Sequence, residues 1–403
     1  MAEPTARRRR ILFVAEAVSL AHVARPFALA SVLPSPQYDI HFAWDPRYAH
    51  LFAQPPGTLH RLHSISTDRF LSALESGRPI YDSRTLHDYV RDDLRLLEAV
   101  QPELVVGDFR LSLAVSAPVF GVPYIALTNA YWSPYLPQRF PVPDLPVVRW
   151  FGLALGQAVF DAVRPLAFAY HAIALNRTRR AYGLPSVGFD LRSAYTFADY
   201  TLYADIPGLY PPFDYPPNHR FLGAVFWSPS VRMPDWWSAL EDDRPLVYVN
   251  LGSSGRFDRF AQIMRALAPL PVRVVAATAG RALPPRLPDN VFCAPYLPGD
   301  RVAERAALVV CNGGSPAAQQ ALRAGVPVLG LPGNMDQYLN MGYVERAGAG
   351  TTLRPTGAEA SGIRSTVEDM LECGSLRENA LKLSRQLKAM SSAQRFGDLL
   401  SEI

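Results

Sequence analysis

Short apolar runs rich in β-branched residues recur along the chain, each bounded by glycine, proline or polar residues and most of them followed by a stretch with helical spacing. In the first half Arg10–Ala15, Tyr38–Trp44, Thr58–Ile65, Leu104–Asp108, Val122–Thr128 and Tyr195–Ala204 read as strands. In the second half Leu246–Gly252, Val272–Thr278, Val291–Ala294, Ala306–Cys311 and Val326–Leu331 do so. A helix opens at Val23, and Arg91–Val100, Pro146–Ala174, Phe257–Ala268, Ala317–Ala324 and Gly362–Ile403 carry further helical patterns, while Asp68–Tyr89 mixes polar and aromatic residues with no clean period. Strands and helices alternate in both halves, which predicts an α/β chain of two doubly wound, Rossmann-like domains.

Length supports two domains, because 403 residues exceed what one core usually holds, and a 49% hydrophobic content is enough to build both. The break is expected at the run Ile206–Asn218, where Pro207, Pro211, Pro212, Pro216 and Pro217 suit a stiff connector. We place the first domain at 1–226 and the second at 227–403. A net charge of +4, carried by arginine with Lys382 and Lys388 the only lysines, argues against a nucleic-acid surface. Cys293, Cys311 and Cys373 are too scattered for a disulfide frame or metal site, so a cytoplasmic setting is expected. Arg7–Arg10 before Ile-Leu-Phe-Val-Ala resembles the start of a signal peptide, but Glu16 ends the apolar run at once. The apolar stretch Phe151–Ala174 is interrupted by Asp161, Arg164 and His171, so no transmembrane segment is expected and a peripheral membrane contact through this helix stays open.

Candidate chemistry concentrates where strands end. Cys311-Asn312-Gly313-Gly314-Ser315-Pro316 reads as a strand, a glycine turn and a helix start, with Ser315 as N-cap and Pro316 at the first helical position. Such a terminus offers free N–H groups and a positive dipole end, which favour phosphate; an ordinary βαβ turn would look the same. Gln320 follows on that helix, and the next strand leads to the polar pair Asp336-Gln337. Ser253 and Ser254 follow another strand end, and Tyr296-Leu297 a third. His22, just past the first strand, and Asp108, ending another, sit where ligands bind in open α/β sheets, although a helix cap and a turn residue are the plainer roles. Tyr131 and Trp132 are candidates for an acceptor wall or for core.

The run from Asn312 to Gln337 resembles the donor-binding signature of the family 1, UDP-glycosyltransferase-like enzymes of GT-B fold, in which a His-Gly-Gly turn precedes a ribose-binding Glu and an Asp-Gln pair on the sugar. Asn312 stands in place of that His and Gln320 in place of that Glu. Ala21-His22-Val23-Ala24-Arg25-Pro26 resembles the family's Gly-His-x-x-Pro segment, with the proline one position late. The resemblance implies two facing Rossmann-like domains, with the last helix packing back on the first. It implies His22 as general base oriented by Asp108, and a donor site of Ser253, Ser254, Tyr296, Leu297, Asn312, Gly313, Gly314, Ser315, Gln320, Asp336 and Gln337. The implied reaction is metal-independent, cofactor-free, inverting transfer of a hexosyl group from a UDP- or dTDP-sugar to a hydroxyl of a small, largely apolar acceptor, walled by Tyr131 and Trp132. Because of Asn312 and Gln320, a catalytically weak relative that only binds a nucleotide sugar or a partner is the alternative.

Overall fold

A computed structural model describes residues 8–240, 243–283, 286–355 and 358–403, without side-chain placement at 146, 147 and 149. Arg7 of the basic N-terminal run therefore lies outside the described residues. The first sheet comprises β1 (Arg9–Ala15), β2 (Tyr38–Trp44), β3 (Thr58–Arg61), β4 (Leu104–Asp108), β5 (Tyr124–Thr128), β6 (Tyr200–Tyr203) and β7 (His219–Phe221). The second comprises β8 (Leu246–Asn250), β9 (Arg273–Ala277), β10 (Val291–Ala294), β11 (Leu308–Cys311), β12 (Val328–Gly330) and β13 (Gly350–Thr352). Both are parallel, in the orders β3-β2-β1-β4-β5-β6-β7 and β10-β9-β8-β11-β12-β13. The chain thus reverses its direction of travel between β1 and β4, and again between β8 and β11. Ligand crevices open at such reversals, outside the carboxyl ends of the strands.

Around the first sheet pack α1 (Leu20–Ser31), α2 (Thr67–Ser76), α3 (Ser83–Val100), α4 (Leu113–Phe120), α5 (Pro146–Ala181) and α6 (Leu191–Tyr195). Around the second pack α7 (Phe260–Leu267), α8 (Gly299–Arg305), α9 (Ser315–Arg323), α10 (Met335–Arg346), α11 (Ala360–Glu372) and α12 (Gly374–Ala389), and α13 (Ser392–Glu402) ends the chain. The central strands are buried on both faces, as their unbroken apolar runs require.

Two sequence expectations need correcting. Asp68–Tyr89 is largely helical, in α2 and the start of α3, with Ser66 and Asp82 as N-caps that accept from Arg69 and Thr85 backbone N–H groups. Its aromatic residues lack a helical stripe because Tyr81 and Tyr89 pack on each other, at 5.6 Å, and around Phe109 instead. Tyr195–Ala204 is not the first sheet's last strand, since β7 follows the proline-rich run and pairs with β6. Among the described residues one helix, Trp150–Ala181, is long and apolar enough by length and composition to cross a membrane, and Asp161, Arg164 and His171 interrupt it as read from the sequence.

The two halves share contacts. A continuous apolar cluster joins Ala130, Tyr131, Trp132, Tyr203 and Tyr210 to Leu339, Met341 and Tyr343. Helix α13 leaves the second half and buries Phe396, Leu399 and Leu400 against Phe13 and its neighbours on the first sheet. Arg9 Nη1 donates to Leu400 O at 2.7 Å and Arg395 Nε to Phe221 O at 2.9 Å, fastening the helix there.

Candidate active site

Sheet register brings the first two candidate residues together. Strands β1 and β4 are neighbours with Ala15 opposite Asp108, and α1 begins a short turn beyond Ala15. His22, in the first turn of α1, therefore reaches Asp108, and its Nδ1 lies 2.8 Å from Asp108 Oδ1. With Nδ1–H donated to the carboxylate, Nε2 is the nitrogen left toward the cleft. The ring stacks on Phe109, centroids 4.6 Å apart at 12°. Phe109 holds φ 59, in the left-handed region, so the chain accepts local strain to set this ring under the histidine.

Arg25, where the family pattern has proline, is the largest feature missed in the sequence. Its Nε donates to Asp108 Oδ2 at 2.7 Å and its Nη2 to Oδ1 at 2.8 Å, while Nη1 donates to Asn129 Oδ1 at 2.7 Å. Both partners are buried, and this two-armed geometry offsets the desolvation of each charge. The available signal was helical spacing, because residues three apart on a helix share a face.

The network continues across the domains. Asn129 Nδ2 donates to Asp205, Ala130 N donates to Asp205 Oδ2 at 2.6 Å, and Gln319 Nε2 reaches from α9 to Asp205 Oδ1 at 2.7 Å. Burial pushes the Asp205 carboxyl up to about 6 against the pull of these donors. Asn129 meets Asp205 because β5 and β6 are neighbours in the first sheet, and Gln319 joins them only when the two domains assemble; none of these pairings has a local sequence signal.

The second reversal point builds the opposite wall. Asn250 of β8 pairs with Cys311 of β11, so the turns after both strands share one rim. Gly313 has φ 79, and a Cβ there would lie 2.6 Å from Met341 Cγ, so glycine is required. Asn312 Oδ1 accepts from Gly314 N at 3.1 Å and its Nδ2 donates weakly to Ser254 Oγ at 3.5 Å. The N-cap of α9 is Gly314 rather than Ser315, which is the first helical residue and turns its hydroxyl to Asn129 Oδ1 at 3.3 Å. Pro316 accordingly falls one position further in. Burial pushes the Cys311 thiol up to about 12, so it is an inert part of this floor.

The remaining candidates divide. Ser253 Oγ accepts from Leu20 N at 3.0 Å, tying the second domain to the start of α1. Tyr296 and Leu297 line the cleft, the tyrosine edge-on to His50 at 5.6 Å. Gln320 Nε2 donates to Trp227 O at 2.6 Å and to Ser228 Oγ at 3.3 Å, so its amide nitrogen is committed to the interdomain segment and Oε1 alone is left for other partners. Asp336 Oδ1 accepts from Trp132 Nε1 at 2.8 Å, across the domains. Gln337 is buried, its Oε1 accepting from Gly333 N at 2.8 Å. Trp132 lines the cleft, but Tyr131 does not: it is fully buried in the interdomain cluster, which corrects its assignment to the acceptor wall. Among the described residues no group of three His, Cys, Asp or Glu side chains is placed to hold a metal ion.

His22, Asp108, Asn312, Gly314, Ser315, Gln320, Asp336 and Gln337 open on one cleft of about 750 Å3. Its far end is apolar, with Phe70, Ile80, Phe109, Phe160, Phe168 and Tyr195. A helix N-terminus for an anion thus faces a histidine–carboxylate pair across a space the size of a bound ligand pair.

Comparison with known proteins accords with this architecture. Residues 261–401 match the family described as "Erythromycin biosynthesis protein CIII-like, C-terminal domain". The chain is 50% identical over 382 residues to the "PGL/p-HBAD biosynthesis glycosyltransferase" of Mycobacterium tuberculosis, covering 95% of itself and 89% of that protein. It is 51% identical over 379 residues to the "PGL/p-HBAD biosynthesis rhamnosyltransferase" of Mycobacterium bovis, covering 94% and 84%. A further M. bovis relative, 48% identical over 265 residues and covering 66% and 72%, is named "Inactive PGL/p-HBAD biosynthesis glycosyltransferase". In fold, the chain superposes on "Spinosyn Rhamnosyltransferase SpnG complexed with thymidine diphosphate" with a TM-score of 0.70 over 97% of this chain and 99% of that one, at 20% identity. The chain belongs to the family 1-type, natural-product glycosyltransferases of GT-B fold, and it is a glycosyltransferase.

Proposed function

We propose that the protein transfers a hexosyl group, of the deoxyhexose type represented by rhamnose, from a dTDP- or UDP-sugar to a hydroxyl of a small, largely apolar acceptor, with inversion and without a metal. The observation that carries this reading is the His22–Asp108 pair facing the Asn312–Ser315 helix start across one cleft. An acceptor hydroxyl is a poor nucleophile at neutral pH. His22 Nε2 takes its proton as the oxygen bonds to the anomeric carbon and the bond to the diphosphate breaks. Asp108 holds Nδ1–H, fixing the tautomer and stabilising the imidazolium, as in the serine-protease triad. The N–H groups at the start of α9 and the Asn312 amide receive the departing negative charge. Attack opposite the diphosphate inverts the anomeric centre.

The rhamnosyl class rests on the printed name of the 51%-identical relative and the thymidine diphosphate on that of the structural neighbour. Gln320 agrees with a deoxyribose. One free amide oxygen suffices for one ribose hydroxyl, whereas a carboxylate serves two. Asp336 and Gln337 would meet the sugar, Tyr296 the base, and the apolar end of the cleft the acceptor. Incubation with dTDP-rhamnose and UDP-glucose against a panel of aryl and alkyl alcohols tests the proposal, with the anomeric configuration of the product read by NMR. Retained configuration would overturn the mechanism.

The second reading, a protein that binds a nucleotide sugar or a partner without transfer, is favoured by Asn312, Gln320 and the existence of a relative named inactive. Assembly of the histidine–carboxylate pair favours transfer. Donor binding with no product across the whole panel would reverse that preference.

A further inference from the structure

Helix α5 is amphipathic the wrong way round. Its polar residues Gln157, Asp161, Arg164 and His171 turn toward the protein: Gln157 Oε1 accepts from Val142 N at 2.8 Å, and Arg164 lies 4.8 Å over the Phe140 ring. Asp161 is clasped by Arg139 at 2.7 Å. Leu155, Val159, Val163, Leu166 and Tyr170, at steps of four, four, three and four, form one stripe on the opposite face and are 42–73% exposed. Such spacing keeps side chains on one side of a helix. Trp150 and Phe151 extend the exposed apolar surface at one end, beyond the kink at Gly152, where φ is 82. About two and three turns past Tyr170 the same face ends in exposed Arg177 and Arg180. Val163 on the stripe, with Phe160 and Phe168 beside it, also lines the apolar end of the cleft, so the exposed surface and the acceptor end of the site are continuous.

We propose that this face of α5 docks on the surface of an anionic phospholipid bilayer, lying in the interface so that an apolar acceptor passes from the lipid past Val163 into the cleft. Several large exposed apolar residues on one helix exceed what a soluble surface leaves uncovered by chance. A second copy is the poorer occupant. Seated stripe to stripe, a second copy would meet Arg177 and Arg180 with a face that presents no carboxylate, since Asp161, the one acidic residue of α5, is clasped by Arg139. Interfacial helices are marked by an apolar face with aromatic residues such as Trp and Tyr and by cations for the headgroups, and Trp150, Tyr170, Arg177 and Arg180 supply these. The inward polar residues argue for lying on the membrane rather than spanning it. This docking adds to the transferase reading, and its readout does not depend on it.

The experiment is flotation of the full chain with vesicles of phosphatidylcholine alone and of phosphatidylcholine with 30 mol% phosphatidylglycerol (about one anionic lipid in three, to supply the surface potential). The wild type should float with the anionic vesicles, less so at high salt. Val159→Glu/Leu166→Glu and the uncharged Val159→Ser/Leu166→Ser, outside the cleft lining, should each lower the bound fraction about tenfold or more. Circular dichroism melts confirm that both variants fold, and thymidine diphosphate binding should be unchanged. Arg177→Gln/Arg180→Gln should reduce binding only to the anionic vesicles. The proposal fails if the wild type does not float, or if the serine variant floats equally well. It also fails if sedimentation shows a wild-type dimer that Val159→Ser/Leu166→Ser converts to monomer, since a second copy would then cover the stripe.

Discussion

Arg25 grips Asp108 with both arms of its guanidinium, Nε on Oδ2 at 2.7 Å and Nη2 on Oδ1 at 2.8 Å, and does so on the carboxylate that also holds His22. The pair is buried, so each charge depends on the other for the solvation it has lost. Arg25→Leu should cost about 3–5 kcal/mol of stability, the usual result of leaving one buried charge alone. The double variant Arg25→Leu/Asp108→Asn should be less destabilised than the sum of the two single variants, because it leaves no uncompensated charge. Denaturant unfolding of the four proteins checks this, and strict additivity would mean that the two charges are not coupled as the geometry implies.

His22→Ala should lower turnover by about 10²- to 10⁴-fold, the usual worth of a general base, while thymidine diphosphate binding survives. Asp108→Asn should act in the same direction but less. Steady-state kinetics beside calorimetric titration separates the two quantities. Full activity of His22→Ala on an ordinary alcohol would remove His22 from the mechanism.

The Asp336 carboxylate is held by Trp132 Nε1 at 2.8 Å, which joins the expected sugar handle to the acceptor wall. Asp336→Ala should therefore reduce the rate of transfer far more than the affinity for free thymidine diphosphate, which carries no hexose. Equal losses in both would place Asp336 on the nucleotide instead.

Gln320→Glu exchanges the amide nitrogen bonded to Trp227 O for a second acceptor oxygen. Repulsion from that carbonyl turns the new carboxylate into the cleft, where it can accept from two ribose hydroxyls. The ratio of UDP to dTDP affinity should rise by ~10-fold, about one hydrogen bond to a charged group. Competition binding with the two diphosphates reads the ratio, and an unchanged value would remove Gln320 from the ribose.

Asp205 makes stability depend on pH. Burial raises its carboxyl from 3.8 to about 6 in the fold, so ionising it costs the folded state. As pH falls through about 6 toward 4 the folded protein takes up this proton before the unfolded chain does. Relative to Asp205→Asn, which cannot titrate, the wild type should then gain on the order of 3 kcal/mol between pH 7.5 and 4. Denaturant midpoints of the two proteins across that range measure it. A difference independent of pH would show that the donors on Asp205 cancel its burial.

Much of the fold was legible in the sequence because the central strands are buried on both faces and must be apolar, as residues 11–15 and Leu308–Cys311 are. The glycine turn after Cys311 was legible for a local reason too, since Gly313 has a conformation few other residues adopt. Strand β7 was not, because three residues, His219, Arg220 and Phe221, among prolines carry no pattern of their own and are held by pairing with β6.

The sequence by itself determined which residues end the strands, and so that His22, Asp108, Asn312 and Asp336 would lie on sheet rims. These are properties of short segments, set by periodicity and turn chemistry. Only the tertiary structure decided that His22 meets Asp108, because that follows from β1 and β4 lying side by side. It also decided that Arg25 shares the carboxylate, that Tyr131 is core while Trp132 reaches Asp336, and that Gln320 is held by Trp227. Each of these depends on distant segments burying the same polar group, and a buried polar group takes whichever partner the packing brings within reach.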